Sequence, residues 1–300
     1  MAVLVIGGVN MDLGGRSRAP LVAGDSNPGK VTASLGGVGR NIAHNLCLLG
    51  VDTALMTVLG DDDFGTAVRQ NAREIGLDLS LSQTLPGQRT STYLYLLNSD
   101  GDMALAVNDM DIYEQMTPAF LEKRLAAIQG FDLVVLDTNI PGESIRWLCR
   151  HCTVPIIADP VSTIKGEKLR DVLGELYAIK PNRAEGEMLT GEKEPEKIVE
   201  KLLAAGVKKV FLSLSTEGMA AGTASGERCR IPCPKGELVN ATGGGDAMVA
   251  ALTACLLRGE PLEESAKTAM AAAVLACSAE TTINPRMSWE NIEKLRESEE

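Results

Sequence analysis

Short apolar runs separated by stretches of helical period constrain this chain more than any other feature. Val3–Ile6, Leu133–Leu136, Pro155–Ala158 and Val210–Leu214 are strand-length segments that stay apolar from residue to residue. A strand without polar alternation must be covered on both faces. Between these runs the apolar positions recur at helical spacing, as in Arg40–Leu49, where Ile42, Leu46 and Leu49 share one face. Buried strands alternating with such helices predict an α/β fold, a largely parallel sheet covered by helices.

Two regions break the alternation. Lys30–Leu35 sets Val31, Ala33 and Leu35 at period two, and Thr90–Leu97 with Met103–Val107 reads as a hairpin turning at Asn98-Ser-Asp-Gly101. Half-polar strands of this kind suggest a small antiparallel sheet, built from segments at roughly 13–36 and 88–110. The expected organisation is one domain over residues 1–300, with that sheet inserted as a lid above the C-terminal edges of the main strands. The last third is helical and rich in small residues, in Ala247–Leu257 and Ser265–Ala279, and reads as close packing surface.

Composition narrows the function classes. The net charge of −11 argues against a nucleic-acid partner, which clustered Lys and Arg would have to hold. It leaves room for a small anion, because helix N-termini and glycine amides bind phosphate locally. No apolar run approaches the roughly 20 residues of a membrane span. Met1–Gly8 lacks the basic segment of a secretion signal, and the cysteine count is odd at 7, so reduced thiols and a cytoplasmic location are expected. Cys149 with Cys152 lies in a helical pattern and Cys229 with Cys233 is loosely spaced, which sets a zinc site aside. The two histidines, His44 and His151, also lie in helical segments. Catalysis therefore falls to carboxylates.

The strongest chemical signal is Asn240-Ala-Thr-Gly-Gly-Gly-Asp-Ala-Met248, a polar loop opening into an apolar helix. Three glycines let backbone amides crowd an anion, and the helix adds its positive end. Asp246 sits at that helix start, where it can either take a proton from an attacking hydroxyl or cap the helix. Leu35-Gly-Gly-Val-Gly-Arg-Asn-Ile-Ala43 likewise runs from a strand through glycines into a helix, with Asn41 offering a donor and an acceptor suited to a diol.

Together these two stretches resemble the paired signatures of the ribokinase-like (PfkB) carbohydrate kinases, and the resemblance spans nearly the whole chain. It implies a three-layer α/β/α core with a small inserted β lid, and transfer of a phosphoryl group from ATP with Mg2+. It also implies roles. Asn10 and Asp12 match the early polar pair that binds sugar hydroxyls, with Gly36, Gly37 and Asn41 completing that pocket. Lys180-Pro-Asn-Arg-Ala-Glu185 matches the element near the nucleotide and metal. Asn182 would act there at the phosphates and Glu185 at magnesium through water, with a solvated helix position as the alternative for Glu185. Ser213-Leu-Ser-Thr-Glu-Gly218 matches the nucleotide-contacting strand end, implicating Ser213, Ser215, Gly218 and Thr242, and Ser215 replaces a usual glycine. Asn240 stands where many members carry an aspartate of a monovalent-cation site, leaving a potassium requirement open.

Within the family the likeness is greatest to the pseudouridine kinases, through Asp25-Ser-Asn-Pro-Gly-Lys30, Val107-Asn-Asp-Met110 and Asp159-Pro-Val-Ser162 as well as the two glycine stretches. It implies that Ser26 and Asn27 meet a uracil edge, unless Asn27-Pro28 serves only to shape a turn. Asn139 at a strand end and Lys165 would lie on the substrate side. The mechanism so implied has Asp246 deprotonating a 5′-hydroxyl while the amides of Gly243, Gly244 and Gly245 hold the transferred group. Two readings stand beside it: a kinase of another nucleoside or sugar, such as ribose, adenosine or fructose, and a non-catalytic nucleoside sensor. An exposed lid edge could pair two copies into a homodimer.

Overall fold

The computed structural model describes residues 1–297. Its strands are β1 (Ala2–Ile6), β2 (Asn10–Ser17), β3 (Gly29–Gly36), β4 (Asp52–Met56), β5 (Val58–Gly60), β6 (Gln83–Leu85) and β7 (Thr92–Leu97). They continue as β8 (Met103–Asp109), β9 (Leu133–Asp137), β10 (Ile156–Asp159), β11 (Ala178–Ile179), β12 (Lys209–Ser213), β13 (Met219–Thr223) and β14 (Arg228–Ile231). Among the described residues the main sheet runs β14-β13-β12-β11-β10-β9-β1-β4. The strands from β4 through β12 in that order are parallel, and β13 and β14 close one edge antiparallel.

The four apolar runs singled out from sequence are β1, β9, β10 and β12, and their continuous hydrophobicity follows from burial on both faces. In β1, Val3 and Val5 enter one core cluster while Leu4 and Ile6 enter the other. All four are fully buried, each worth about 1.5–3 kcal/mol relative to exposure. This is the α/β arrangement expected from the sequence, a largely parallel sheet buried on both faces.

A second sheet, β3-β2-β7-β8, stands apart from the first. β3 and the β7–β8 hairpin match the two half-polar segments. Asn10 and Asp12 were expected as a polar pair after β1 and the residues from about 13 as the start of the lid segment, with no strand assigned to them; together they form β2, a central strand antiparallel to β3 and parallel to β7. Its sequence, Asn-Met-Asp-Leu-Gly-Gly-Arg-Ser, carries two glycines that weaken any strand signal. Pairing on both sides overrides that weakness. A Cβ on Gly14 would strike the Tyr95 ring of the neighbouring strand, so the glycine admits the tyrosine.

Two helices place the glycine motifs. Val38–Leu48 follows β3, and Gly244–Leu257 packs against both Val38–Leu48 and the helix Leu262–Cys277. The close approach of helices this rich in alanine brings together residues more than two hundred positions apart.

Candidate active site

Functional groups gather where the parallel strands end. Asp137, Asp159 and Ser213 are the last residues of β9, β10 and β12, and Lys180 follows directly on β11. In a parallel α/β sheet this carboxyl edge, with helix N-termini facing it, is where ligands bind.

The two glycine motifs meet there. Asn41 Nδ2 donates to Asp246 Oδ2 at 2.8 Å, across 205 residues of sequence. The amide is held in register from behind, because Asn41 Oδ1 accepts from the buried Arg40 guanidinium at 3.2 Å. Arg40 in turn is anchored to the Leu35 carbonyl at 3.1 Å and to Asn71 Oδ1 at 2.9 Å. Sequence reading passed over Arg40, whose placement depends on the remote Asn71. Burial lowers its pKa to about 10, with Asp12 opposing the shift, so it remains charged at neutral pH.

Asp246 is the third residue of its helix, and Gly243 in the left-handed region (φ 88°) is the N-cap. The capping alternative for Asp246 is thereby answered: its carboxylate points at Asn41, and no side chain caps the helix. The leading N–H groups stay open to an anion. A Cβ on Gly243 would collide with the Thr282 carbonyl, and one on Gly244 would come within 2.9 Å of Cys277 Sγ. Burial, reinforced by the negative charge of Asp159, raises the Asp246 pKa to about 7, against the lowering effect of Asn41 and Lys180. A carboxylate so tuned is a base matched to neutral pH.

The polar pair of β2 lies opposite the end of β3 that leads into the Asn41 helix, with Asn10 paired to Gly36 and Asp12 to Ser34. Asn10 Nδ2 donates to Asp12 Oδ1, and a side chain on Gly36 would overlap the Asp12 carboxylate. Gly37 (φ 96°) abuts the Gly8 carbonyl, so the chain turns into the helix without obstructing this corner. Burial raises the Asp12 pKa to about 6, offset by Asn10 and Arg40. Asp137, a further residue not singled out from sequence, is fully buried and accepts from the N–H groups of Gly8 and Asn139, each at 2.8 Å. Its carboxylate fills the space that side chains at Gly7 or Gly39 would need. Asn139 Oδ1 receives the Lys165 ammonium at 2.5 Å, and Lys165 also reaches Met110 Sδ at 3.2 Å, just beyond β8. These two predicted substrate-side residues therefore touch each other.

A cavity of about 650 Å³ is lined in part by Gly244 and Gly245. Asn182, Ser213, Ser215, Gly244 and Gly245 line its polar end, and Leu238, Met270, Ala273 and Val274 its apolar wall. The alanine-rich helix read as packing surface thus also forms a cavity wall. Asn182 and Glu185 form a reciprocal capping box, with Asn182 Oδ1 accepting from Glu185 N and Glu185 Oε2 from Asn182 N, both at 2.9 Å. Glu185 is 4% exposed, so it is not a solvated helix position. Burial, then Asp159, raises its pKa. Ser215 adopts φ 55°, which explains why glycine suits this position. Gly218 (φ 92°) has no room for a Cβ beside the Ile231 carbonyl. Thr242 is exposed at the loop, its N–H donating to Asn240 Oδ1 at 2.9 Å, while Asn240 Nδ2 binds the Glu280 carbonyl at 3.0 Å.

Ser26 and Asn27 lie in the loop between β2 and β3. Ser26 is exposed, and Asn27 bonds the loop itself, accepting from Val22 N at 2.8 Å and donating to the carbonyls of Val22 and Asp25 at 3.0 Å. Among the described residues no cluster of three or more His, Cys, Asp or Glu side chains is disposed to enclose a metal ion. Glu185 fits a hard cation that keeps most of its water, as magnesium does.

A glycine loop at a helix N-terminus beside a buried carboxylate, at the carboxyl edge of a parallel sheet, is an arrangement suited to phosphoryl transfer to an alcohol. The pfkB family carbohydrate kinase model matches residues 2–289, and the chain belongs to that family. It is 36% identical to the pseudouridine kinase of Escherichia coli K12, over 99% of this chain and 97% of that one. Among solved structures, a carbohydrate kinase from Agrobacterium tumefaciens superposes with a TM-score of 0.88 at 28% identity, covering 99% of this chain and 97% of that one. The Arabidopsis thaliana ribokinase complexed with ribose and ATP gives 0.85 at 23% identity, covering 99% of each chain, and supports the fold. The chain is a sugar or nucleoside kinase, and no helix among its described residues is long and apolar enough to cross a membrane.

Proposed function

We propose that this kinase transfers the γ-phosphoryl group of ATP to the 5′-hydroxyl of pseudouridine, giving pseudouridine 5′-phosphate and ADP. The observation that carries the reading is the Asn41–Asp246 bond of 2.8 Å, which joins the acceptor corner to the anion cradle at a base with a pKa of about 7. The E. coli pseudouridine kinase likeness supports the choice of acceptor.

In this mechanism Asn10, Asp12, Asn41 and the amides at Gly36 and Gly37 hold the ribose. Asp246 takes the 5′-hydroxyl proton as that oxygen attacks the γ-phosphorus, and the bridging bond to ADP breaks. The amides of Gly243, Gly244 and Gly245 hold the equatorial oxygens of the group in flight. Magnesium, held through water by Glu185, supplies charge neutralisation at the phosphates when bound. Asn182, Ser213, Ser215, Gly218 and Thr242 form the nucleotide side. Asn139 and Lys165 stand at the base end, and Ser26 and Asn27 approach the uracil edge when the β3-β2-β7-β8 sheet closes as a lid. Two copies associate through that lid.

The test is ATP-dependent phosphorylation of pseudouridine, uridine, ribose, adenosine and fructose by the purified protein with magnesium. Preference for pseudouridine is the expected result, and preference for another acceptor overturns the assignment. Ser26→Ala should raise KM for pseudouridine while leaving KM for ATP unchanged, and equal changes in both would remove Ser26 from the base pocket.

A further inference from the structure

The guanidinium of Arg40 is buried among neutral groups, an arrangement that packing alone does not call for. We propose that Arg40 is a positioning residue: it fixes the Asn41 amide with its donor end toward Asp246, and ties that orientation to the root of the lid. The proposal rests on Asp246 as the base of the proposed function but not on the identity of the acceptor.

Two observations support it. Arg40 is 5% exposed, and its Nη1 donates to the Leu35 carbonyl at 3.1 Å and to Asn41 Oδ1 at 3.2 Å. Its Nη2 donates to Asn71 Oδ1 at 2.9 Å and lies 3.4 Å from His44 Nδ1, and burial together with Arg40 keeps His44 neutral, its pKa near 4. A charge surrounded by neutral acceptors is costly to bury, and an apolar side chain would fill the space at less cost. The anchors also lie on separate elements. Leu35 is the penultimate residue of β3, Asn41 lies on the helix Val38–Leu48, and Asn71 lies on the helix Asp63–Glu74. That last helix holds a second lid strand as well, because its N-cap Asp62 accepts from Thr90 N at 2.8 Å and Thr90 Oγ1 at 2.6 Å, two residues before β7. The root of the lid and the Asn41 amide are thus set by one framework.

An amide has a donor end and an acceptor end, and turning it over exchanges them. With Arg40 on Oδ1, Nδ2 faces Asp246 Oδ2 and donates at 2.8 Å. A turned amide would set donors against donors at Arg40. The choice matters once Asp246 has taken the acceptor proton, since a carboxylic acid needs an acceptor for its O–H. Arg40 withholds the amide oxygen, so Asn41 continues to favour the ionised form and the site regains its base after product leaves. Arg40 acts on Asp12 in the same sense through its charge, against burial. The other charges acting on Asp246 are Asp159 at the end of β10, Lys180 after β11 and Asp137 at the end of β9. Those beside Arg40 are Asp12 and the neutral His44. The variants below leave these groups in place.

The experiment uses the full chain, first without ligands and then in turnover with whichever acceptor the wild type prefers. NMR titration of the Asp246 carboxyl carbon should give a midpoint about one pH unit higher in Arg40→Met than in the wild type, the equivalent of one hydrogen bond to a charged group. The acid limb of kcat/KM should move up with it, so that the loss is about tenfold at neutral pH and shrinks at alkaline pH. Arg40→Lys keeps the charge and a donor without the fork, and should shift the midpoint less. Equal shifts in the two variants would assign the effect to lost packing and overturn the proposal. So would a rate lowered equally at every pH with Asp246 titrating as in the wild type. If Arg40→Met does not fold, Asn71→Ala removes one anchor and should raise the midpoint by a smaller amount, and an unchanged midpoint there overturns the proposal. If the wild type phosphorylates no acceptor, the proposed function fails while the NMR titration still decides Arg40.

Discussion

At the scale of single residues, Asp246 as the proposed base must be ionised when the acceptor arrives, and its surroundings set the pH at which that holds. Burial and Asp159 raise its pKa to about 7. kcat/KM should therefore fall on the acid side with an apparent pKa near that value, measured by initial rates across pH at saturating ATP. Asp246→Asn keeps the size and polarity of the side chain but cannot accept the proton. Turnover should drop by about 10²–10⁴-fold while nucleotide binding persists, and a rate close to wild type would show that another group is the base. Arg40, Asp137, Asp159 and Lys180 carry a different lesson. Arg40, Asp159 and Lys180 lie in motif stretches and Asp137 does not, and for all four only the tertiary structure shows what the side chain contacts.

The glycine loops show what an element can express locally. Gly243 and Gly87 both have positive φ, at 88° and 70°. Gly87 has open space around its missing Cβ, whereas Gly243 abuts Thr282. Gly87→Ala should cost about 1–2 kcal/mol from backbone conformation alone. Gly243→Ala should cost more and also lower activity, readable by urea unfolding alongside turnover. Equal stability losses would mean that Thr282 simply moves aside. The β3-β2-β7-β8 sheet bears on association. Cross-strand pairing puts Leu94 beside Val107 and Leu96 beside Leu105 on one face, and all four are exposed. Burying that row against a second copy would remove it from water. Leu105→Glu should convert a dimer to a monomer in sedimentation, and an unchanged mass would place any association elsewhere.

For the whole molecule, the raised carboxylates make stability depend on pH in an unusual sense. Between the ordinary 3.8 and about 7 the folded protein keeps a proton on Asp246 that the unfolded chain has lost. Its stabilising contribution is therefore lost as pH rises through the folded value. Asp12 acts in the same sense up to about 6. His44 acts oppositely: burial and Arg40 lower its pKa from 6.5 to about 4, so its contribution is lost as pH falls. Tm should rise as pH is lowered from about 8 to about 6.5, then flatten as His44 opposes the carboxylates. Asp246→Asn should remove most of that rise in a calorimetric series, and an unchanged pH dependence would place its source in other groups.

The sequence by itself determined the α/β class, four of the buried strands of the parallel sheet (β1, β9, β10 and β12, but not β4 or β11), the β7–β8 hairpin and the glycine loops that open two helices. Each depends on short-range periodicity or on a conformation that glycine alone adopts freely. Tertiary structure decided that β2 is a strand, since two neighbours stabilise a glycine-weakened segment that its own residues do not specify. It also decided that Asp246 faces Asn41 instead of capping its helix, that Asn27 bonds its own loop, and that Lys180 meets Asp159 beside Gly245. Those outcomes depend on distances between residues remote in the chain, and on burial that gives the carboxylates their proton affinity only once the sheet and helices have packed.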